Sequence, residues 1–341
     1  MSPQPVETTT QDHFIKSTQA KGVELYIRER LPNGAQPRDI KSAALCVHGT
    51  FNPGAGFDCS APGFSWLQDL AASGKAAYFM DLRGYGRSTA PLPTSGSEPV
   101  CTIDDAVQDI HDAVTFICDR LDLPSINLVG FSWGTTTTAR YAQLHPDQVR
   151  KLLMLAPLTH GGVMAHTEEE PVTPDAAAKI FGRGFKMLCD PTDPKKFNPA
   201  IRPFTQWSLT DTRRHDAAAM GGLDPSLWQV PEASRAALED LRRHTNTTGD
   251  LITSPSGAAY NLFQFYVLGR ELFDPAAVHT PVLIVRGDRD FASTGPETLD
   301  LLSQFGSRQK AFLEVGNAGH GVFRHRAAPL LFALSKAFFD D

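Results

Sequence analysis

Ser132, Asp290 and His320 are the three residues whose types and placement suit nucleophilic catalysis. Ser132 is the centre of a Gly-Phe-Ser-Trp-Gly run, which lies between the apolar segment 126–129 and a helical pattern over 135–144. Asp290 and His320 also follow apolar, strand-like segments. A serine hydroxyl is a weak nucleophile and needs a base within hydrogen-bond reach. The three residues therefore suit covalent catalysis if the fold brings them together.

The run around Ser132 predicts a sharp strand-turn-helix segment of the kind called a nucleophile elbow. Side chains on both sides of so tight a turn would collide, which explains Gly130 and Gly134. The amide of Trp133 would then lie at a helix N-terminus and face developing negative charge. A Gly-flanked serine in an ordinary strand-to-helix turn is the alternative, so the rest of the chain has to decide.

Composition narrows the class of protein. The chain has 341 residues, of which 41% are hydrophobic and 21% charged. These values indicate one large globular domain, or one domain with a sizeable insertion. The formal net charge of -6 gives no reason to expect nucleic acid or an anionic membrane as a partner.

The cysteines and the N-terminal segment indicate the compartment. The five cysteines are an odd number without CxxC or metal-type spacing, and Cys46 and Cys118 are predicted to be buried free thiols. The N-terminal segment lacks the basic and apolar regions of a signal peptide, and no apolar run approaches about 20 residues. We expect a cytoplasmic protein.

Apolar runs that alternate with helical patterns predict an α/β protein with a mostly parallel sheet. The predicted strands are 23–28, 43–47, 76–80, 126–129, 151–157, 281–285 and 311–315. Residues 1–12 are expected to be a loose tail. From 158 to 278 the chain is charged, interrupted by Pro and Gly, and mainly helical in pattern, for example over 232–245 and 257–272. The predicted organisation is therefore a core formed by 1–157 and 279–341, with 158–278 inserted.

Five motifs in this order resemble the α/β-hydrolase fold family, in particular its capped serine hydrolases. The resemblance covers about 23–157 and 281–339. The motifs are His48-Gly49 after the family's third strand (43–47), Asp81-x-Arg83-Gly84-x-Gly86-x-Ser88 after its fourth (76–80), the elbow at Ser132, Gly-Asp-x-Asp ending at Asp290, and Gly-His-Gly at His320. The resemblance implies a mostly parallel sheet flanked by helices, with a mainly helical cap inserted after the family's sixth strand (151–157). The order Ser, Asp, His is that of the family.

The resemblance and the chemistry together assign roles. Ser132 would be the nucleophile and His320 the base, while Asp290 would fix the tautomer of His320. The amides of Trp133 and Thr50 would hold the oxyanion. The amide of Phe51 is the alternative second donor, because the loop after His48-Gly49 departs from the HGGG version of the motif.

Other residues compete for these roles. Asp288 lies in the same turn as Asp290, but the family pattern places the acid at the second Asp. Some relatives carry the acid after the preceding strand, where this chain has no carboxylate in residues 156–158. His48 is expected to shape the oxyanion loop, and Asp81 and Arg83 to be scaffold residues. No metal site is expected, because the histidines show no HxH or HExxH spacing.

A pocket for the substrate is expected near the elbow. Phe51, Phe131, Trp133 and Phe291 are the candidate lining residues, although Trp133 also suits simple packing. Aromatic residues of the inserted segment would mostly form its own small core. These residues favour a small or medium substrate that is partly apolar or aromatic.

The sequence thus predicts a serine hydrolase that needs no cofactor and cleaves a carboxylic ester of a small molecule through an acyl-enzyme. The same triad also suits a C–C, amide, N-terminal proline peptide or lactone bond, or an acyl transfer. The loop after His48 lacks the Gly-Pro-Gly expected from resemblance to prolyl iminopeptidases and C–C hydrolases. This absence argues against both of these activities. A non-catalytic ligand receptor of the same fold is a further alternative. The oligomeric state stays open.

Overall fold

The computed structural model describes residues 7–89, 98–158, 188–201, 203–208, 220–245, 247–290 and 292–340. The described strands are β1 (Thr8–Lys16), β2 (Glu24–Pro32), β3 (Ala43–Val47), β4 (Ala76–Met80), β5 (Ile126–Phe131), β6 (Val149–Leu155), β7 (Cys189–Asp190), β8 (Asp193–Phe197), β9 (Phe204–Ser208), β10 (Thr247–Thr248), β11 (Leu251–Pro255), β12 (Val282–Gly287) and β13 (Lys310–Val315). The described helices are α1 (Trp66–Ala72), α2 (Ile103–Leu121), α3 (Trp133–Leu144), α4 (Pro231–His244), α5 (Gly257–Tyr266), α6 (Gly295–Gln304) and α7 (Ala328–Phe339).

The core is an eight-stranded sheet in the order β1-β2-β4-β3-β5-β6-β12-β13. The strands from β4 to β13 in this order pair in parallel, while β1 and β2 are antiparallel additions at one end. Because parallel strands all end at the same edge, the loops after β3, β5, β12 and β13 meet there. This architecture confirms the predicted fold class.

Helices cover both faces of the sheet. Leu45 and Val47 of β3 pack into the core beneath α2 and α3, whereas Cys46 between them packs into the core beneath α1 and α7. The wholly apolar pattern of β3 follows from this double burial. The Trp66 indole donates a hydrogen bond to Ser335 Oγ over 2.8 Å, which joins α1 to α7.

The N-terminal prediction is wrong for part of its range. Residues 1–12 were expected to be a loose tail, but β1 pairs with β2 along its whole length. Its Thr-rich, polar sequence lacks an apolar alternation because the strand lies at the sheet edge, where side chains stay in water. Asp12 forms an ion pair with Arg28 at 2.8 Å, and the Phe14 ring lies 5.4 Å from the Tyr26 ring. Residues 1–6 lie outside the described part.

The segment between β6 and β12 contains more strand than its sequence pattern predicts. The helical patterns over 232–245 and 257–272 correspond to α4 and α5, and α5 ends six residues early. The described residues also form a three-stranded sheet, β10-β11-β9, and the two-stranded pair β7-β8. Among the described residues of this segment, the description "mainly helical" therefore fits α4 and α5. It does not fit β7, β8 and β9, which precede α4, or β10 and β11, which lie between the two helices.

The cysteines are free throughout the described structure. Cys46 is fully buried, as predicted, whereas Cys118 is only partly buried. No helix among the described residues is both long enough and apolar enough to cross a membrane.

Candidate active site

Ser132 lies at a sharp turn between the last residue of β5 and the first residue of α3. Its φ of 54° and ψ of -123° are an unfavourable conformation for a residue with a Cβ atom, and such strain tends to occur at functional sites. The surrounding structure imposes the turn, because the Ser132 amide donates to the carbonyl of Leu155 in β6 over 3.0 Å. This is the geometry predicted for the elbow.

The two glycines of the elbow are required by close packing. A Cβ atom on Gly130 would lie 2.4 Å from Thr138 Oγ1, and one on Gly134 would lie 2.4 Å from the carbonyl oxygen of Val47. Real Cβ contacts are not this short, so α3 can approach β5 and β3 only with glycine at both positions. The collision predicted from the sequence is therefore present on both sides of Ser132.

Asp290 and His320 are in direct contact. Nδ1 of His320 lies 2.9 Å and 3.0 Å from the two carboxylate oxygens of Asp290. A carboxylate only accepts hydrogen bonds, so Nδ1 carries the proton and donates. The Asp290 side chain is fully buried, and its Oδ1 also accepts the Ala292 amide over 2.9 Å. The carboxylate is thus held in one orientation and fixes the tautomer of His320.

His320 is also tied to the elbow through the residue that precedes Ser132. The Phe131 and His320 rings are tilted, with centroids 5.1 Å apart, and Phe131 also packs against Phe323 at 5.0 Å. The fold therefore brings the loops carrying Ser132, Asp290 and His320 to one edge of the sheet.

The structure separates the two candidate acids. Asp288 does not point at His320 but accepts the Ala318 amide over 3.0 Å and lies 3.7 Å from the Arg289 guanidinium. After β6, the chain continues through Ala156, which has a positive φ of 53° and no carboxylate. Asp290 is thus the acid of these candidates that contacts His320.

The candidate oxyanion loop follows β3 and lies against Ser132. A Cβ atom on Gly49 would be 3.0 Å from the Ser132 Cβ, so the loop passes as close as the backbone permits. The carbonyl of Thr50 accepts the Tyr85 hydroxyl over 2.9 Å, and that of Phe51 accepts the Ser254 hydroxyl of β11 over 3.5 Å. Thr50 is thus anchored to the core, and Phe51 to the inserted segment. The choice between the amides of Thr50 and Phe51 as second oxyanion donor stays a prediction.

The amide of Trp133 lies at the N-terminus of α3, and its role as an oxyanion donor stays a prediction. Trp133 is the first residue of α3, where backbone N–H groups have no carbonyl one turn earlier to bind. Its indole is fully buried in the core between the sheet and α2, which favours the packing role for the side chain. Phe131 is also buried. Phe291 lies outside the described residues.

A small cavity lies beside the elbow. Its volume is about 20 Å³, close to the space that one water molecule needs. Aromatic rings from the core, including Phe57, Phe131 and Phe323, form one side, and Ala237 and Leu241 of α4 form another. The inserted segment therefore helps to enclose an apolar space next to Gly49.

His48 is a structural residue, as expected. Its Nε2 accepts the Leu82 amide over 3.1 Å, so Nδ1 donates to the carbonyl of Gly49 over 2.8 Å. Both ring nitrogens are thereby used to shape the loop. Burial lowers the pKa of His48 to about 4, so the ring is neutral near pH 7.

Replacing His48 tests this interpretation through the pH dependence of stability. An unfolded histidine has a pKa of about 6.5, so as pH falls from 6.5 to 4 the unfolded state takes up the proton first. This group should therefore lower the free energy of unfolding of the wild type by about 3 kcal/mol across that window. Denaturant unfolding of the wild type and His48→Gln at pH 7 and pH 4.5 should show a smaller decline in the variant. Equal declines would contradict a buried neutral His48.

The turn after β4 is held by internal contacts, as expected of scaffold. Asp81 accepts the Gly54 amide at 2.7 Å and the Arg87 amide at 2.9 Å. The Arg83 guanidinium bonds Asp109 over 2.9 Å and 2.6 Å. These contacts attach the loop after β3 and helix α2 to the turn. The described residues contain no group of three or more His, Cys, Asp or Glu able to hold a metal ion.

His325 is a buried residue near His320 that the sequence did not predict. It lies five residues after His320, is buried, and accepts the amide of Gly319. The only sequence signal was a second histidine close behind the first. Its importance depends on the fold, because the turn at Val322–Arg324 brings it back toward His320.

Comparisons with known proteins identify the family of the chain. The family model for the alpha/beta hydrolase fold matches residues 45–324. An epoxide hydrolase of Caballeronia sordidicola is 30% identical over 135 residues, covering 37% of this chain and 38% of the relative. Epoxide hydrolase 3 of Mus musculus is 27% identical over 233 residues, covering 67% of this chain and 54% of the relative. The match thus spans about half or less of these curated relatives.

Solved structures agree on the fold. An esterase from Exiguobacterium antarcticum is similar with a TM-score of 0.60 and 15% identity, and the comparison covers 96% of this chain and 99% of the esterase. A likeness at this identity concerns the fold alone. The chemistry has to be argued from the site.

Proposed function

Because the chain belongs to the alpha/beta hydrolase fold family, we propose that it is a serine hydrolase that cleaves a carboxylic ester through an acyl-enzyme. The hydrogen bonds between His320 Nδ1 and the buried carboxylate of Asp290, at the sheet edge where the elbow presents Ser132, carry this proposal. They orient a histidine as the base that a serine nucleophile requires.

The proposed reaction has two halves. In the first, Ser132 Oγ attacks the ester carbonyl while Nε2 of His320 takes the hydroxyl proton, and the same proton then goes to the departing alkoxide. In the second, His320 takes a proton from water as the water attacks the acyl-enzyme, and it then gives that proton to Ser132 Oγ as the ester bond breaks and the acid leaves. Asp290 stabilises the imidazolium in both halves. The Trp133 amide, with that of Thr50 or Phe51, would hold the oxyanion.

The epoxide hydrolases among the relatives make epoxide opening the second candidate. The nucleophile position argues against it. A serine that opened an epoxide would form an ether, which water does not readily cleave, whereas a carboxylate nucleophile would form an ester that water can hydrolyse. With Ser132 at the elbow, acyl chemistry gives a covalent intermediate that turns over.

The side chains around the elbow support a small or medium substrate with an apolar part. The walls of the cavity beside Gly49 are mostly aromatic or aliphatic, and α4 of the inserted segment lies over them, although the enclosed space of about 20 Å³ holds only a small part of such a substrate. Enclosure by such a segment excludes bulk water from the reacting groups, which strengthens the electrostatic stabilisation of the transition state.

A labelling and turnover experiment tests the proposal. The wild type and Ser132→Ala are incubated with a fluorophosphonate probe, and the modified peptide is identified by mass spectrometry. p-Nitrophenyl esters of increasing acyl length and an aryl epoxide are then assayed. We expect labelling at Ser132, ester turnover with an optimum at short to medium acyl chains, and no epoxide opening. Absence of labelling, or epoxide turnover that survives in Ser132→Ala, would contradict it.

A further inference from the structure

The loop that carries His320 is anchored at the residues just before it. The amide of Ala318 donates to Asp288 Oδ1 over 3.0 Å, and its carbonyl accepts the amide of Arg289 over 2.9 Å. The loop after β13 is thereby attached to the loop after β12, which also carries the acid. Asp288 thus contributes to the placement of His320 without contacting it.

The next residue along the chain, Gly319, is held by His325. The amide of Gly319 donates to Nδ1 of His325 over 3.3 Å. A Cβ atom on Gly319 would lie 3.4 Å from Cε1 of His325 and 3.3 Å from Sδ of Met220, so backbone and ring are in close approach. A buried N–H without an acceptor is unfavourable, so this hydrogen bond selects one arrangement of the loop.

His325 is itself fixed in place. Its amide donates to the carbonyl of Val322 over 3.0 Å, and its carbonyl accepts the amide of Ala328 over 2.9 Å. Its ring packs edge-to-face on Trp228, with centroids 5.1 Å apart, and the amide of Arg326 donates to the carbonyl of Trp228 over 2.8 Å. The acceptor for Gly319 is therefore held between helix α7 and the inserted segment.

We propose that His325 is a positioning residue, whose neutral ring accepts the Gly319 amide and thereby keeps His320 in hydrogen-bonding register with Asp290. The effect of His325 on the placement of His320 does not depend on the reaction that the protein catalyses. Its effect on kcat rests on the proposed function, since a mispositioned His320 would slow proton transfer from Ser132.

The charges around His325 are compatible with this role. An imidazolium carries N–H on both nitrogens and cannot accept the Gly319 amide. Burial and the positive charge of Arg324 lower the pKa of His325 to about 4, with a further contribution from His320, while Asp290 opposes the shift. The ring is therefore a neutral acceptor at the pH values where a serine hydrolase operates.

Two variants distinguish the hydrogen-bond acceptor of His325 from the packing of its ring on Trp228. His325→Phe keeps an aromatic ring against Trp228 but removes the acceptor, whereas His325→Asn removes the ring and retains an acceptor near the position of Nδ1. The first readout is the downfield proton NMR signal of the His320 Nδ1–H, assigned by its absence from His320→Gln. The second is kcat and KM for the best p-nitrophenyl ester, with circular dichroism to verify folding.

We expect His325→Phe to lose the NMR signal and to lower kcat by about tenfold to a hundredfold with little change in KM. His325→Asn should retain the signal and most of kcat. Retention of signal and kcat in a folded His325→Phe would overturn the proposal. Loss of the signal in a folded His325→Asn would overturn it too, even if the Phe variant did not fold.

The experiment separates this inference from the proposed function. A wild type that shows the NMR signal but turns over no ester would contradict the serine hydrolase function, and the variants would still test the role of His325 through that signal. Ester turnover with a signal that is insensitive to His325→Phe would contradict the positioning role alone.

Discussion

Ser132→Ala is expected to fold like the wild type and to lose ester hydrolysis by several orders of magnitude in kcat, on the scale of about 10⁶. Alanine keeps the Cβ atom, so neither the backbone conformation nor the contact with Gly49 changes. What is lost is the only oxygen of the protein that the proposed mechanism bonds to the acyl group. Steady-state kinetics with the best p-nitrophenyl ester, on protein free of wild-type contamination, measure the loss.

Ser132→Gly provides a matched control. It removes the same hydroxyl and also the Cβ atom that makes a φ of 54° and a ψ of -123° costly. It should therefore be as inactive as the alanine variant and more stable by about 1 kcal/mol in denaturant unfolding. Substantial activity in either variant would refute Ser132 as the nucleophile, while equal stabilities would refute backbone strain at the elbow.

Asp290→Asn is expected to lower kcat by about 10⁴ without unfolding the protein. In the wild type, Oδ1 accepts both the Ala292 amide and Nδ1–H of His320. The single oxygen of asparagine would remain with Ala292, so its NH₂ group would face His320. Nδ1 would then have to accept, and the tautomer with a proton on Nε2 could not take the proton of Ser132.

Asp288→Asn is the matched control two residues earlier. The contact of Asp288 with the Ala318 amide needs only an acceptor, which asparagine retains. Its kcat should stay within about tenfold of the wild type, since the His320 loop keeps its anchor. The reverse ranking of the two variants, measured on the same ester at the same pH, would identify Asp288 as the functional acid.

Much of the fold and the main features of the site could be predicted from short stretches of sequence. Strands buried on both faces, such as β3, are apolar at every position, and that pattern is local. The elbow is equally local, since strand, turn and helix occupy consecutive residues around Ser132. The predictions that were wrong or incomplete concern elements whose structure depends on distant partners. Strand β1 is polar, and it forms because its backbone hydrogen-bonds to β2. Strands β9 and β11 pair although more than forty residues separate them in the sequence.

The sequence by itself determined the order of the core strands β2 to β6, β12 and β13 and of the helices between them, the elbow at Ser132, and the placement of an acid and a histidine after later strands. These features could be predicted because hydrophobic periodicity, glycine spacing and strand ends depend on residues that are close together in the sequence. Only the tertiary structure showed that Asp290 contacts His320 while Asp288 accepts the Ala318 amide, and that His325 accepts the amide of Gly319. Such contacts depend on side-chain direction and on the packing of segments far apart in the chain, which local patterns do not specify.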